Sequence, residues 1–461
     1  MTGQAFATAA FAVAAGAMAV VVAGSMGLTA LSLGAPVALF GGMALLAQPF
    51  AGVAALAAFS HLDGVQKLLF AFLPVSAFKL LTALTAAALL LNAQRLRDRF
   101  RDVLREPVIV MAIVFLLLAG VSLAAAEDRA LALGAIRRLS SLALLLVLVA
   151  VLADTRRKVD VLLWLLVGTS VVSSIILLVD FAFGVQLVAQ SDAATTARTV
   201  EGVARSAGGS DYNPTTAASL LLVGVIFALV HALESPRWRW PLLIVVAIGT
   251  TAIVLSFARS AALAYGLVGL ALLWRHRRWR YLPVLAVVGL LAGLALLPLV
   301  PAEYLQRLSS IVGGAPDPTL GRRLSYNLIG IDLLLQRPLL GVGPGNYTHH
   351  FIDMEYRFMP GRILLGRELH NMYLSVLVQH GLIGALPFFA MIAMSFGRLR
   401  EVCATAADPE YRTQALSLGY AFAAYLLTCV FLPSEEIKYT WLIPGLAVSL
   451  YLANLNEPSR R

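Results

Sequence analysis

Apolar residues run along this chain in long blocks separated by short polar, mostly basic connections. A helix needs about 20 mainly apolar residues to cross a bilayer, with a range of roughly 17–25. From residue 66 onward the pattern gives spans near 66–92, 107–126, 130–153, 161–184, 213–233, 241–258, 261–274, 281–299, 371–395, 414–431 and 440–455. Residues 5–60 are apolar and hold no Lys or Arg, so they carry either one span with a re-entrant piece or two spans. Parity favours one, which predicts an all-α polytopic membrane protein of about 12 transmembrane helices rather than 13. The N-terminal run lacks the basic flank of a signal peptide and is expected to be mature structure.

The connections orient the spans. Six basic clusters stand out: Arg95 to Arg105, Arg156 to Lys158, Arg237 with Arg239, Arg275 to Arg280, Arg398 with Arg400 and Arg412, and Arg460 with Arg461. They hold nineteen of the 35 Lys and Arg, and the positive-inside rule assigns all six to the cytoplasm. Two opposite-side segments are too long for turns, 185–212 and 300–370. Three parts follow: residues 1–299 as a bundle of about nine spans, 300–370 as a lobe outside the membrane, and 371–461 with three further spans. Within the lobe, Leu324, Leu328, Ile331 and Leu335 recur at helical spacing between Pro318 and Pro338, with Arg322 and Arg323 at the start. This predicts an amphipathic helix, either lying on the membrane surface or packed on the bundle.

Composition agrees. Hydrophobic residues make up 60% of the 461, charged residues only 13%, and mean hydropathy is +0.84. These values exclude a disordered chain, a secreted disulfide scaffold and a soluble nucleic-acid binder, despite a net charge of +10. The two cysteines, Cys403 and Cys429, imply neither a disulfide framework nor a metal site.

Candidate chemistry gathers near the noncytoplasmic ends. His370-Asn371 precedes a span, and Gly381 and Gly384 follow. At about 100° per residue a continuous helix would put both glycines within about 40° of His370, flooring a groove beneath it. A histidine there serves as an acid–base group or simply hydrogen-bonds at the headgroup level. Cations within spans are costly and usually face a cavity, a partner charge or the bundle interior. Arg259 lies in the turn Ser256-Phe-Ala-Arg259, Arg137 and Arg138 lie about two turns inside their span, and Lys79 lies near the middle of 66–92. Acidic partners are scarce, so an external anion is expected, unless Lys79 pairs with Asp180 or one of Arg137 and Arg138 only snorkels. Arg205 sits in a Gly-rich approach to Asn213-Pro214, a setting that suits a phosphate. Gly341-Val-Gly-Pro-Gly345 lacks a βαβ context and reads as a turn, and His349, His350, Asp353 and Glu355 read as solvated loop polarity, so no metal and no cofactor is expected.

His370-Asn371, nine residues and then Gly381-Leu-Ile-Gly384, preceded by Arg337-Pro-Leu-Leu-Gly341 and the Arg259 turn, resembles the O-antigen ligase and Wzy-type polymerase superfamily of bacterial membrane glycosyltransferases. The likeness covers roughly residues 130–390, and Arg205 with Asn213-Pro214 resembles the family's earlier arginine loop. It implies a GT-C-like enzyme of the inner membrane with one large, partly helical periplasmic loop and a periplasmic site. The implied reaction is a metal-independent, inverting transfer of O-antigen from undecaprenyl diphosphate to lipid A-core, completing lipopolysaccharide. His370 would be the general base, and Arg205, Arg259 and Arg138, with Arg137 and Lys79, would hold the diphosphate; Asn371, Gly381 and Gly384 would support them. The partners implied are the lipid-linked donor, the lipid A-core acceptor and membrane lipids. A Wzy-type polymerase is the alternative within the family; protein-glycosylating relatives usually extend further at the C-terminus. From another class, a small-anion transporter would also need buried arginines, but the chain shows no internal repeat and its polar candidates gather at the outer ends.

Overall fold

The computed structural model describes residues 45–70, 76–188, 205–278, 318–359 and 366–456. Those residues are all-helical. The expected spans at 281–299 and over most of 5–60 lie outside them.

The chain begins with α1 (Pro49–Phe59), a short α2 (Asp63–Leu69), α3 (Ala77–Leu91) and α4 (Arg97–Arg105). Then come α5 (Pro107–Ser122), α6 (Arg129–Leu152), α7 (Arg156–Phe183), α8 (Pro214–Glu234), α9 (Arg239–Leu255) and α10 (Arg259–Arg275). The lobe contributes α11 (Pro318–Gln336) and α12 (Tyr347–His350), and α13 (Met372–Thr405), α14 (Pro409–Thr428) and α15 (Lys438–Leu455) follow. Six helical segments among these are long and apolar enough to cross a membrane: Pro107–Ala125, Arg129–Leu152, Arg156–Phe183, Pro214–Glu234, Met372–Thr405 and Pro409–Phe431. The chain is a multi-pass membrane protein.

Local signals explain where the helices start. Proline opens α5, α8 and α14, where a missing N–H costs nothing. The side chains of Asp128, Asn213, Asn371 and Asp408 accept from the first free N–H groups of α6, α8, α13 and α14. Behind them, one apolar core joins residues from Val53 to Ala453, with Phe115, Phe388 and Trp441 meeting at its centre.

The block 66–92 is not one span. Helix α2 closes at Leu69 and α3 opens only at Ala77, after an extended Ser76. Lys79 therefore lies in the first turn of α3, at an open helix end, rather than near the middle of a span.

The two ends of the bundle differ in charge pairing. At one end the basic clusters meet acids or helix ends: Arg156 pairs with Asp408, Arg398 with Glu106 at 2.8 Å and Arg275 with Glu234 at 2.9 Å. Arg99 there donates to the carbonyls of Ala150 and Ala153 at the end of α6. The opposite end gathers the candidate residues and the lobe.

Helix α11 forms as the apolar spacing predicts. Its buried face is Tyr326, Ile329 and Leu333, which join Tyr347, Phe351 and Leu369 with Val378 of α13 in a second, small core. Leu324, Leu328, Ile331 and Leu335 face outward and are exposed.

Candidate functional site

The His370 segment is built on a broken helix. Within α13, Gly381 takes φ 63° and ψ −177°, a conformation open essentially to glycine alone. The break exposes backbone groups that pair with the glycine turn of the lobe. Val342 N–H donates to the Val378 carbonyl at 2.9 Å, Gly343 N–H to that of Gln379 at 3.1 Å, and Leu382 N–H to that of Pro338 at 2.9 Å. A Cβ on Gly381 would lie 2.1 Å from the Leu339 carbonyl oxygen. The expected groove beneath His370 is thus corrected: a wheel drawn through both glycines assumes a continuous helix, and the chain turns away at Gly381. Gly381 locks the lobe to α13, while Gly384 lies against His380 of its own helix. Gly341-Val-Gly-Pro-Gly345 is a turn, as its sequence predicts, with positive φ at Gly341, Gly343 and Gly345.

His370 stands two residues before α13, its ring 5.4 Å from that of Tyr326 between centroids. Its Nδ1 lies 2.8 Å from the Glu368 carbonyl oxygen. Only a protonated Nδ1 can donate there, so the neutral ring keeps its lone pair on Nε2. Burial, chiefly, holds the His370 pKa below the ordinary histidine value; the Glu368 hydrogen bond opposes this, and Arg323, Arg367 and Arg322 reinforce it. The imidazole is neutral at pH 7 and can accept a proton. Asn371 caps α13 through Tyr373 N–H and Leu374 N–H and so fixes where the histidine leaves the helix.

A cavity of about 870 Å³ opens at the same end, between α2, α3, α6 and the start of α15. It brings together three sequence-predicted cations, Lys79, Arg137 and Arg138, and adds Lys67 and Lys438. Two carboxylates, Asp63 and Glu436, also line it. Both arginines of the Arg137/Arg138 pair face the cavity. Arg138 forms a forked ion pair with Glu436, its second contact Nη2 to Oε1 at 3.2 Å. Lys79 does not pair with Asp180, whose carboxylate instead accepts from Leu187 N–H and Ser206 Oγ.

Arg205 and Arg259 form a second group, away from the lining of the cavity. Arg205 is buried, at 7% exposure. Its Nε donates to the Ser256 carbonyl at 3.0 Å, capping the end of α9, and its Nη2 donates to Thr215 Oγ1 at 3.0 Å. Arg259 begins α10 three residues after Ser256, beyond a turn in which Phe257 has a positive φ of 52°. Tyr212, from the same loop as Arg205, lines the cavity and links the two groups. His370 does not line the cavity either; its neighbour Glu368 lies within electrostatic reach of Arg138 and Glu436.

Sequence reasoning passed over several residues here. Asp63 accepts from Ser210 Oγ and Asp211 N–H, both at 3.0 Å, and sits 3.8 Å from Lys438 Nζ. Glu435 is buried and binds Ser375 Oγ and Gln379 Nε2, and Gln379 in turn accepts from Gly345 N–H. Burial pushes the Glu435 pKa up to about 8, against the opposing Ser375 hydrogen bond. The available signal was the pair Glu435-Glu436 in the eight-residue connection, 432–439, between apolar blocks. No group of three or more metal-ligating side chains occurs among the described residues.

These features define a helical, multi-pass membrane protein with a cationic cavity and a neutral histidine at one end of its bundle. Residues 244–389 match the family model described as O-antigen ligase, a likeness over part of the chain that supports an O-antigen ligase/Wzy-like reading. Members of that family are membrane glycosyltransferase-like enzymes, ligases and polymerases. No curated protein matches the chain. A chain from a solved structure described as "Structural coordination of polymerization and crosslinking by a peptidoglycan synthase complex" is similar over 75% of this chain and 96% of its own, at 16% identity and a TM-score of 0.40.

Proposed function

We propose that the protein is an O-antigen ligase of the inner membrane, transferring a glycan from undecaprenyl diphosphate to lipid A-core on the periplasmic side. The observation that carries the reading is that the O-antigen ligase match, residues 244–389, contains both Arg259 and the whole element from His370 to Gly384. In the reaction, His370 Nε2 takes the proton of an acceptor hydroxyl as its oxygen attacks the anomeric carbon. The bond from that carbon to the diphosphate oxygen breaks on the opposite face, so the configuration inverts. Negative charge grows on the leaving diphosphate, and Arg138, Arg137 and Lys79 stand at the cavity to neutralise it. Arg205 and Arg259 lie at the neighbouring turn, where Arg205 holds the Ser256 carbonyl and so supports the loop that brings Tyr212 to the cavity.

Side-chain cations in that role make the transfer metal-independent. Activity lost in EDTA and restored by a divalent ion would count against this. The deciding experiment offers purified protein a lipid-linked glycan with either lipid A-core or a second lipid-linked glycan. Extension of lipid A-core supports the ligase, and extension of the second glycan identifies a Wzy-type polymerase instead.

A further inference from the structure

The two carboxylates at the cavity are held very differently. Asp63 is 8% exposed, accepts two hydrogen bonds from the 210–211 loop and faces Lys438, so it is part of the frame. Glu436 has a side chain 30% exposed, and its carboxylate bonds only to Arg138 among the described residues. It meets the guanidinium edge-on with both oxygens, the same fork a phosphoryl group presents. Nearby, among the described residues, the Arg137 head donates only to the Leu133 carbonyl of its own helix, and Lys79, also on the lining, makes no ion pair. The cavity therefore holds more positive charge than its carboxylates cancel, and one of those carboxylates is loosely kept.

We propose that Glu436 is a displaceable counterion: it occupies Arg138 in the empty cavity and yields it to the diphosphate of a lipid-linked ligand, while Lys438 and Lys67, anchored by Asp63 and Asp211, stay in place as further cations of the site. Phe70, Phe78 and Leu142 on the same lining give the attached lipid an apolar surface. This rests on the diphosphate reading above and adds to it a competitor and two ligand-facing lysines. Glu436 thereby sets affinity: it keeps Arg138 oriented, and it lowers the apparent affinity for any anion that must expel it.

The test is binding without transfer. Purified full-length protein in detergent is titrated calorimetrically with inorganic pyrophosphate and, in a second arm, with undecaprenyl diphosphate carrying no glycan. Glu436→Gln is expected to bind pyrophosphate roughly two- to fivefold tighter than wild type, the scale of a partly exposed ion pair, and Lys79→Gln and Lys67→Gln to bind it more weakly. The gain should vanish in an Arg138→Gln background. Undecaprenyl diphosphate should bind tighter than pyrophosphate. Unchanged or weaker binding by a Glu436→Gln protein of wild-type melting temperature overturns the proposal, as does a gain that survives Arg138→Gln. If Glu436→Gln does not fold, Glu436→Ala replaces it under the same criteria. Equal affinity for lipid and free anion overturns the lipid assignment. None of these readouts needs glycan transfer, so an inactive wild-type enzyme would refute the ligase reading separately.

Discussion

Gly381 presents its α-carbon so close to Leu339 that a Cβ would fall 2.1 Å from the Leu339 carbonyl oxygen. The contact joins the 338–343 turn to α13, the helix that His370 precedes. Gly381→Ala combines a backbone conformation costing about 1–3 kcal/mol for other residues with this overlap, so a loss of at least that size is expected. Gly397 lies in the same helix, and a methyl group added there would meet nothing within 4 Å. Gly397→Ala should be neutral or stabilising by up to about 1 kcal/mol. Melting in detergent distinguishes them, and equal melting temperatures would show that the junction tolerates a side chain.

His370→Ala should leave the protein inserted and folded while lowering transfer by about 10²–10⁴, the usual contribution of a general base. The pH profile adds a sharper check. A base works in its neutral form, and the His370 pKa is depressed, chiefly by burial. Activity should therefore fall only at pH values below those at which an unperturbed histidine titrates. An acid limb above the ordinary histidine range would rule out His370 as the titrating base.

Much of this arrangement is legible in the sequence, and what is not has a common cause. The apolar blocks locate α5 to α8, α13 and α14, and among the described residues Arg156, Arg275 and Arg398 of the basic clusters pair with acids at the end away from His370. Of the five cations singled out in the sequence, Lys79, Arg137 and Arg138 line one cavity, whereas Arg205 and Arg259 do not. Their protein partners are not legible. Arg138 and Glu436 lie 298 positions apart, and Asp63 and Ser210 147 apart; no periodicity encodes such pairs. Periodicity also misleads at Gly381, where the spacing is helical but the backbone is not. Asp180, read as a possible partner for Lys79, instead anchors the loop beside Arg205.

Glu435 predicts an alkaline weakness. Its folded pKa of about 8 exceeds that of an exposed carboxyl because burial disfavours the charged form. A raised folded pKa means the native state holds the proton more tightly than the unfolded chain. The stabilisation is full below the unfolded value and is lost as pH rises through about 8. Glu435→Gln keeps a neutral hydrogen-bonding group and should flatten that decline. Parallel melting curves for wild type and variant from pH 5 to 9 would remove Glu435 as the source.

Arg205 separates holding from binding. Its hydrogen bonds to the Ser256 carbonyl and Thr215 Oγ1 tie the 205–213 loop to the turn before Arg259. Arg205→Ala leaves the Ser256 carbonyl without this buried donor and should cost about 1.5–3 kcal/mol, together with a marked fall in donor use. Arg205→Lys keeps the charge but cannot reach both acceptors with a planar fork. If the arginine mainly shapes the turn, lysine should restore little of the stability, and donor KM should stay raised. If charge alone matters, lysine should restore donor KM nearly to the wild-type value while the melting temperature remains low. Measuring both quantities on the same two variants tells these roles apart, and normal values of both in Arg205→Ala would remove Arg205 from the site.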